Sequence, residues 1–170
     1  AQLLTDVGER KEARPLMEEA LKGCREELGA RHPDTLTSIN NLAGLLKDMG
    51  EYEKARPLYE EALKGCREEL GDRHRQTLIS INNLAGLLAD MGERKEARRL
   101  FEEALKGCRE ELGDRHPHTL SSINNLAWLL ADMGKYEKAR RLFEEGLKGC
   151  REVLGDRHPD TLTSMNNLGT

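Results

Sequence analysis

Residues 40–65 read "NNLAGLLKDMGEYEKARPLYEEALKG", and this stretch holds two helix-like patterns separated by a glycine. Before Gly50, apolar residues between positions 36 and 49 recur at the three- and four-residue spacing of one buried helix face. After Gly50, the same spacing runs from Ala55 to Leu70. A glycine between two such patterns is typical of a helix C-terminus. The stretch therefore predicts two consecutive helices.

The helix pair belongs to a repeat of 42 residues that fills the chain. Successive members of three sets are 42 residues apart: Gly8, Gly50, Gly92 and Gly134; Cys24, Cys66, Cys108 and Cys150; His32, His74, His116 and His158. Residues 43–84 and 85–126 differ at only nine positions. The chain is therefore about four copies of one unit, cut out of phase, and we expect it to be a piece of a longer protein.

Each unit predicts a helix A and a helix B. Helix A is expected over residues 34–49, with Pro33 at its first turn, where a missing N–H costs nothing. Helix B is expected over residues 51–70, and Gly71 ends it. Two short helices cannot bury their apolar faces alone, whereas stacked neighbours can. The predicted fold is a single all-α array over residues 1–170, a right-handed solenoid of antiparallel helix pairs; a closed bundle would not need the 42-residue period.

The repeat resembles the tetratricopeptide motif. The small Ala43, the corner from Gly50 to Tyr52, Ala55, Tyr59 and Ala62 fall where that motif has them. The usual tetratricopeptide unit has about 34 residues, and here the segment "CREELGDRHPD" lengthens helix B and the turn. With "NNLA" and "YEKARPLYEEAL", the longer unit resembles the repeats of kinesin light chains. The resemblance implies a superhelix and a scaffold that binds proteins or extended peptides.

The resemblance also implies a concave groove lined by the A helices. Its positions here would be Thr37, Asn40, Gly44, Lys47 and Asp48, with their copies 42 residues on. Asn amides can donate to and accept from a peptide backbone, while glycines would leave the groove floor bare. We expect Asn40, Asn82 and Asn124 to face the groove, and Asn41, Asn83 and Asn125 to make structural bonds toward the preceding helix B. A structural role for all of these asparagines stays open.

Two sets of equivalent groove positions predict ligand contacts other than hydrogen bonds to a peptide backbone. Trp128 replaces the glycine found at Gly44 and Gly86, and it is either an anchor for a partner side chain or a tolerated filler. Asp48, Asp90 and Asp132 predict a preference for basic peptides that salt would weaken. Kinesin light chain grooves use basic residues for acidic motifs, but here only Lys47 is basic in its column, followed by Ala89 and Ala131. That specificity is therefore not expected.

Composition argues against several other functions. The chain has 27 basic and 31 acidic residues, a net charge of −4, and few aromatics, which disfavours nucleic-acid binding. It has no apolar run near the roughly 20 residues of a membrane span. Ser38, Ser80 and Ser122 lack a His/Asp partner pattern, so no catalytic site is predicted. The paired glutamates, such as Glu60 and Glu61, are expected on a solvated face with i,i+4 partners.

Cysteine and histidine spacing argues against a metal site or a disulfide. Each unit has one Cys and one His eight residues apart, with no C-x-x-C or H-x-x-x-H pair, and the fifth histidine, His118, is single. The four cysteines lie on the apolar stripe of helix B, which predicts buried, reduced thiols and a cytoplasmic protein without cofactors. His32 and its copies are expected to cap helix A.

Two functions remain for the sequence: a protein- or peptide-binding scaffold, and a structural or self-associating spacer with no ligand of its own. The spacer hypothesis rests on the two ends. Leu3, Leu4, Leu162, Met165 and Leu168 are expected to be poorly covered, and "TLTSMNNL" at residues 161–168 would be continued by "AQLLTDVG" of a second copy. The prediction is head-to-tail self-association that does not close.

Overall fold

The computed structural model describes residues 2–168, without the side chains of residues 2–7 and 160. All regular structure in this part of the chain is helical. The helices are α1 (Gln2–Glu27), α2 (Pro33–Asp48), α3 (Tyr52–Leu70), α4 (Arg75–Asp90), α5 (Arg94–Leu112), α6 (Pro117–Asp132), α7 (Tyr136–Leu154) and α8 (Pro159–Leu168). The A helices of the repeat are thus α2, α4, α6 and α8. None of the described helices is long and apolar enough to cross a membrane.

The chain divides into two compact units. Unit 1 comprises Ala1–Leu87 and unit 2 comprises Leu88–Thr170. In unit 1, α2 packs against both α1 and α3. In unit 2, α6 packs against α5 and α7, and α7 also packs against α8. The A helices α2 and α6 therefore each bury their apolar stripe between two B helices, as the repeat predicts.

Local signals at both ends of helix A behave as predicted. The Nδ1 atom of His32 accepts the Asp34 backbone N–H at 3.2 Å, so this histidine caps α2. His74 and His116 make the same bond at 3.2 and 3.1 Å. Gly50 ends the helix with φ of +75°, a conformation that favours glycine. The Glu51 N–H then donates to the Leu46 carbonyl at 2.8 Å, which satisfies an end carbonyl.

The first copy of this glycine does not end a helix. Gly8 lies inside α1, which runs without a break from Gln2 to Glu27, and its φ is not positive. Because Gly8 is the repeat equivalent of Gly50, the 42-residue period predicts the end of a helix A at Val7, and that prediction is wrong. A glycine permits the reversal but does not force it. At Gly50 the reversal is also held by the packing of α2 on α3 and by backbone bonds to Leu46 and Lys47.

Three of the four thiols are buried as predicted. Cys66, Cys108 and Cys150 are buried, whereas Cys24 on α1 is half-buried. Each sulfur contacts the serine fourteen residues later, at 3.6–3.7 Å: Ser38, Ser80, Ser122 and Ser164. The thiols therefore lie in the seam between a B helix and the A helix that follows it.

The predicted exposure at the ends is confirmed in part. Leu162 on α8 is exposed, while Met165 and Leu168 are half-buried. The side chains of Leu3 and Leu4 lie outside the described residues. Self-association through these ends stays a prediction.

Candidate functional site

One side of each A helix is open to solvent, and we call it the open face. On α2 the open face comprises Thr37, Asn41, Gly44 and Asp48; on α6 it comprises Ser121, Asn125, Trp128 and Asp132. The spacing of four, three and four residues places these positions on one helix face. All are exposed except Gly44, which is half-buried. The equivalent unit 1 positions on α4, Ile79, Asn83 and Gly86, are half-buried.

The two adjacent asparagines are oriented opposite to the sequence prediction. Asn40 is 8% exposed, and its Nδ2 donates to the Ser80 hydroxyl at 2.8 Å and to the Leu36 carbonyl at 3.3 Å. Its bond to Ser80 joins α2 to α4, the next A helix. Asn41, expected to be structural, is exposed. In the other copies Asn82 and Asn124 are half-buried, while Asn125 is exposed.

The inward orientation of Asn40 has a physical reason. Helix A carries polar residues both on its open face and on the side that meets the next A helix, and the sequence interpretation merged the two. Asn40 lies on the second side, where the small Ser80 leaves room for an amide. The Asn40 Oδ1 atom is buried and accepts no hydrogen bond from the described residues. The Asn40 amide is therefore placed to link repeats rather than to meet a ligand directly.

We expect Asn40→Ala to lower the free energy of unfolding by about 1–2 kcal/mol, because it deletes the buried hydrogen bond from Asn40 to Ser80. Asn41→Ala is the matched control, since it should be neutral or slightly stabilising in an exposed helix position. Urea titrations of both variants provide the measurement. Equal losses from the two substitutions would contradict the orientation described here.

Side chains of neighbouring helices lie close to the two glycines of the open face. A Cβ at Gly44 would lie 3.4 Å from the Tyr59 hydroxyl oxygen of α3. A Cβ at Gly86 would lie 3.7 Å from the ammonium nitrogen of Lys47, which thus reaches across from α2 to α4. Lys47 is half-buried. In unit 1 the groove positions are therefore partly covered by Tyr59 and Lys47.

Trp128 presents the largest exposed apolar surface on the open face. Its side chain is 46% exposed, although it packs edge-on against Phe143 with ring centroids 5.3 Å apart and an interplanar angle of 75°. Phe143 is buried and is the α7 counterpart of Tyr59. The indole is thus held on one edge by the core while much of the ring stays accessible, which is the arrangement of an interface anchor.

The aspartates of the open face include one, Asp132, that has an arginine partner. Asp132 accepts a hydrogen bond from the Arg94 guanidinium, and this bond is the main cause that lowers the pKa of Asp132 and raises the pKa of Arg94. Asp48 is exposed, and its backbone carbonyl accepts from Arg10 at 3.1 Å. Asp90 is also exposed. The negative charge predicted to favour basic peptides is therefore compensated at Asp132.

The paired glutamates of the B helices lie on a charged outer surface. The first of each pair binds an arginine four residues earlier, in the pairs Arg14–Glu18, Arg56–Glu60, Arg98–Glu102 and Arg140–Glu144. The second binds an arginine of the preceding B helix, in Arg25–Glu61 and Arg109–Glu145. The predicted i,i+4 pairs are confirmed, and the bonds between repeats are an addition that the sequence did not reveal.

Stacked helix pairs with an open face of A helices define an all-α repeat scaffold. The tetratricopeptide repeat family matches residues 1–68, 38–110, 76–152 and 129–170, and the chain belongs to this family. The family commonly mediates protein–protein interactions through the surfaces of stacked repeats. No curated protein matches the sequence.

Solved structures agree with this class. Nearly identical TPR-like repeats from Podosopora anserina, assigned to a kinesin light chain, match with 27% identity and a TM-score of 0.80 over 95% of this chain and 76% of that one. BtubC (BKLC) from P. vanneervenii matches with 24% identity and a TM-score of 0.74, over 99% and 65%. NprR in complex with its cognate peptide NprX matches with 18% identity and a TM-score of 0.66, over 92% and 49%. The predicted all-α solenoid class and the likeness to kinesin light chain repeats are confirmed.

Proposed function

We propose that the chain binds a protein or an extended peptide on the open face of its A helices. The observation that carries the proposal is Trp128, an indole that is 46% exposed at a position where two other copies have Gly44 and Gly86. Exposed aromatic anchors dominate the affinity of many interfaces. NprR, which shares the fold, was solved with a peptide. A non-catalytic, cytoplasmic scaffold is proposed, and the buried thiols fit a reducing compartment.

The open-face residues have distinct proposed roles. Asn41 and Asn125 are exposed amides that can donate to and accept from a ligand backbone. Trp128 would receive an apolar side chain, and Asp48 would favour a basic one. Asn40, Asn82 and Asn124 lie nearer the neighbouring helices, so they would support the open face. Lys47, Asp90 and Asp132 would adjust its charge, with Gly44 and Gly86 allowing a ligand close to the helices.

Trp128 also supplies the test, because it is the only tryptophan and its fluorescence reports on its own surroundings. A peptide array probed with the 170-residue chain should return ligands that change this fluorescence. Trp128→Gly introduces the residue found at Gly44 and Gly86. It should weaken the affinity for those ligands by about 30-fold or more, the effect of removing an interface anchor worth about 2 kcal/mol. Affinity of the variant is measured by calorimetry.

Two controls complete this test. Tyr136 is 71% exposed at the start of α7 and is not one of the open-face residues, so Tyr136→Ala should leave affinity within about twofold. Asn125→Ala should weaken binding without lowering the melting temperature. Array ligands that bind wild type and Trp128→Gly equally would place the site elsewhere and overturn the proposal.

The alternative function is a self-associating spacer, and the exposed Leu162 on α8 is the observation that favours it. An apolar side chain in that position would be covered by a second copy docked on α8. Sedimentation of the chain and of Leu162→Glu separates the two functions. Concentration-dependent association that Leu162→Glu removes would support the spacer, whereas a monomer at all concentrations would reject it.

A further inference from the structure

A second candidate site lies in unit 2, outside the open face. It is a cleft of about 310 Å³ between the first turns of α5 and the turn that joins α6 to α7. The cleft is lined by Lys95, Arg98, Arg99, Glu102, Met133 and Lys135. Four cations and one carboxylate therefore surround the same space. We call it the basic cleft.

The equivalent place in unit 1 has a different charge balance. There Arg14, the counterpart of Arg98, donates to both carboxylate oxygens of Glu51 at 3.0 and 3.3 Å. A hydrogen bond from Lys54 and the charge of Arg14 lower the pKa of Glu51, so its carboxylate stays ionised. In unit 1 the arginine is therefore neutralised by an ion pair between neighbouring repeats, Arg14–Glu51.

Two departures from the repeat convert that ion pair into a basic cleft. Lys135 stands where the other copies have Glu9, Glu51 and Glu93. Arg99 stands where unit 1 has Pro15 and Pro57. The fourth copy also has an arginine at the first of these positions, Arg141, whereas a lysine at the position of Lys135 occurs in this cleft alone. Arg14 has the carboxylate of Glu51 as its partner in the next repeat. At the equivalent place, Arg98 has the positively charged Lys135 instead.

The positive charge of the cleft is only partly neutralised. Arg98 keeps its bond to Glu102 at 2.7 Å, and Arg99 binds Glu96 at 2.6 Å. Lys95 and Lys135 take part in no ion pair with the side chains that the structure describes. Lys95 is exposed and Lys135 is half-buried, so both ammonium groups border the open cleft.

We propose that the basic cleft binds an anionic side chain of a partner protein through Lys95, Arg98, Arg99 and Lys135. Guanidinium and ammonium groups recognise both carboxylate and phosphoryl oxygens, so an acidic residue and a phosphorylated residue are the two sources of this chemistry. The cleft complements such a group because Lys95 and Lys135 add two positive charges to Arg98 and Arg99, whose ionic partners are Glu96, Glu102 and Glu103. Its exposure to solvent predicts binding that weakens strongly as salt rises.

Two labelled twelve-residue peptides test the proposal, one rich in glutamate and one carrying phosphoserines, with titrations at low and at high salt. At least one peptide should bind at low salt, and the tighter of the two identifies the source of the anion. Lys135→Glu should reduce its affinity by about tenfold or more, because the new carboxylate can bind Arg98 as Glu51 binds Arg14. The same pairing should preserve the melting temperature, so lost binding would not reflect unfolding.

Lys148→Glu is the matched control, since it makes the same change in net charge at an exposed position of α7 outside the cleft. It should alter affinity by no more than about twofold. Trp128→Gly should also leave peptide binding to the cleft unchanged, which separates this site from the open face. The proposal is overturned if neither peptide binds at low salt, or if Lys135→Glu and Lys148→Glu weaken binding equally.

Discussion

In the native protein, Cys66 and Cys108 will react with a thiol reagent at least about a thousandfold more slowly than in denaturant. Both thiols are almost fully buried, so the reagent reaches them only after the helices separate. An opening free energy of about 4 kcal/mol or more, within the usual range for a folded domain, gives this protection. Cys24 is half-buried and should react first. Mass spectrometry after timed quenching measures each site separately.

The pH dependence of this protection follows from the thiol pKa values. Burial raises the pKa of Cys66 and Cys108 above the ordinary 9.0, and a hydrogen bond with serine offsets part of the shift. A folded-state pKa above the unfolded value stabilises the fold fully below pH 9. That contribution is lost as pH rises through the folded pKa. Melting temperatures should therefore fall above about pH 9.

A Cys24→Ser variant provides the control for the labelling experiment. It should remove the fast phase and leave the slow labelling of Cys66 and Cys108 unchanged. Equal and rapid modification of all four cysteines without denaturant would show that the helix B stripe is not buried as described. The pH effect should shrink in a Cys66→Ala variant, which loses one of the shifted groups.

The sequence was sufficient for features set by local chemistry. Pro33 at the first turn, the His32 cap and the positive φ of Gly50 each depend on neighbouring residues along the chain. The apolar spacing then assigned the buried face of every helix A. Gly8 is the exception among these local signals, because α1 continues through it without a reversal.

The orientation of Asn40 and Asn41 could not be predicted from neighbouring residues along the chain. Asn40 and Asn41 both lie outside the apolar stripe, and helical periodicity alone does not separate a side that meets the next repeat from a side that meets solvent. The deciding contact is Ser80, forty residues further along the chain. A serine in the seam was the available signal, since a small hydroxyl there can accept an amide donor. The change from glutamate to Lys135 is visible in the sequence. Its effect on the charge around Arg98 is evident only from the Arg14–Glu51 ion pair in the structure.

The glycine of the "LKGC" segment was also missed, and it carries the largest expected effect on stability. Gly65 lies inside α3, where a glycine normally costs about 1 kcal/mol relative to alanine. Yet a Cβ at this position would lie 2.4 Å from the Leu36 Cδ2 atom and 3.1 Å from Cδ1. Leu36 is 0% exposed and has little room to move. The glycine therefore permits the close approach of α2 to α3.

Gly65→Ala should accordingly destabilise unit 1, despite the better helix propensity of alanine. Overpacking a core typically costs about 1–3 kcal/mol, which equals or exceeds the roughly 1 kcal/mol gained in the helix. Gly65→Val adds two further methyl groups and should lower the free energy of unfolding by about 3 kcal/mol or more. Gly149→Ala should behave like Gly65→Ala, because its Cβ would lie 2.4 Å from the Leu120 Cδ2 atom. Urea unfolding of each variant gives the values.

Gly23 offers a control from the same segment of the repeat. It lies inside α1, and no atom would lie within 4 Å of an added Cβ. Gly23→Ala should therefore raise the free energy of unfolding by up to about 1 kcal/mol through helix propensity alone. A double-mutant cycle of Gly65→Ala with Leu36→Ala should show favourable coupling, because the smaller side chain makes room for the Cβ. If Gly65→Ala stabilises the protein as much as Gly23→Ala does, the contact with Leu36 does not limit the packing of α2 on α3.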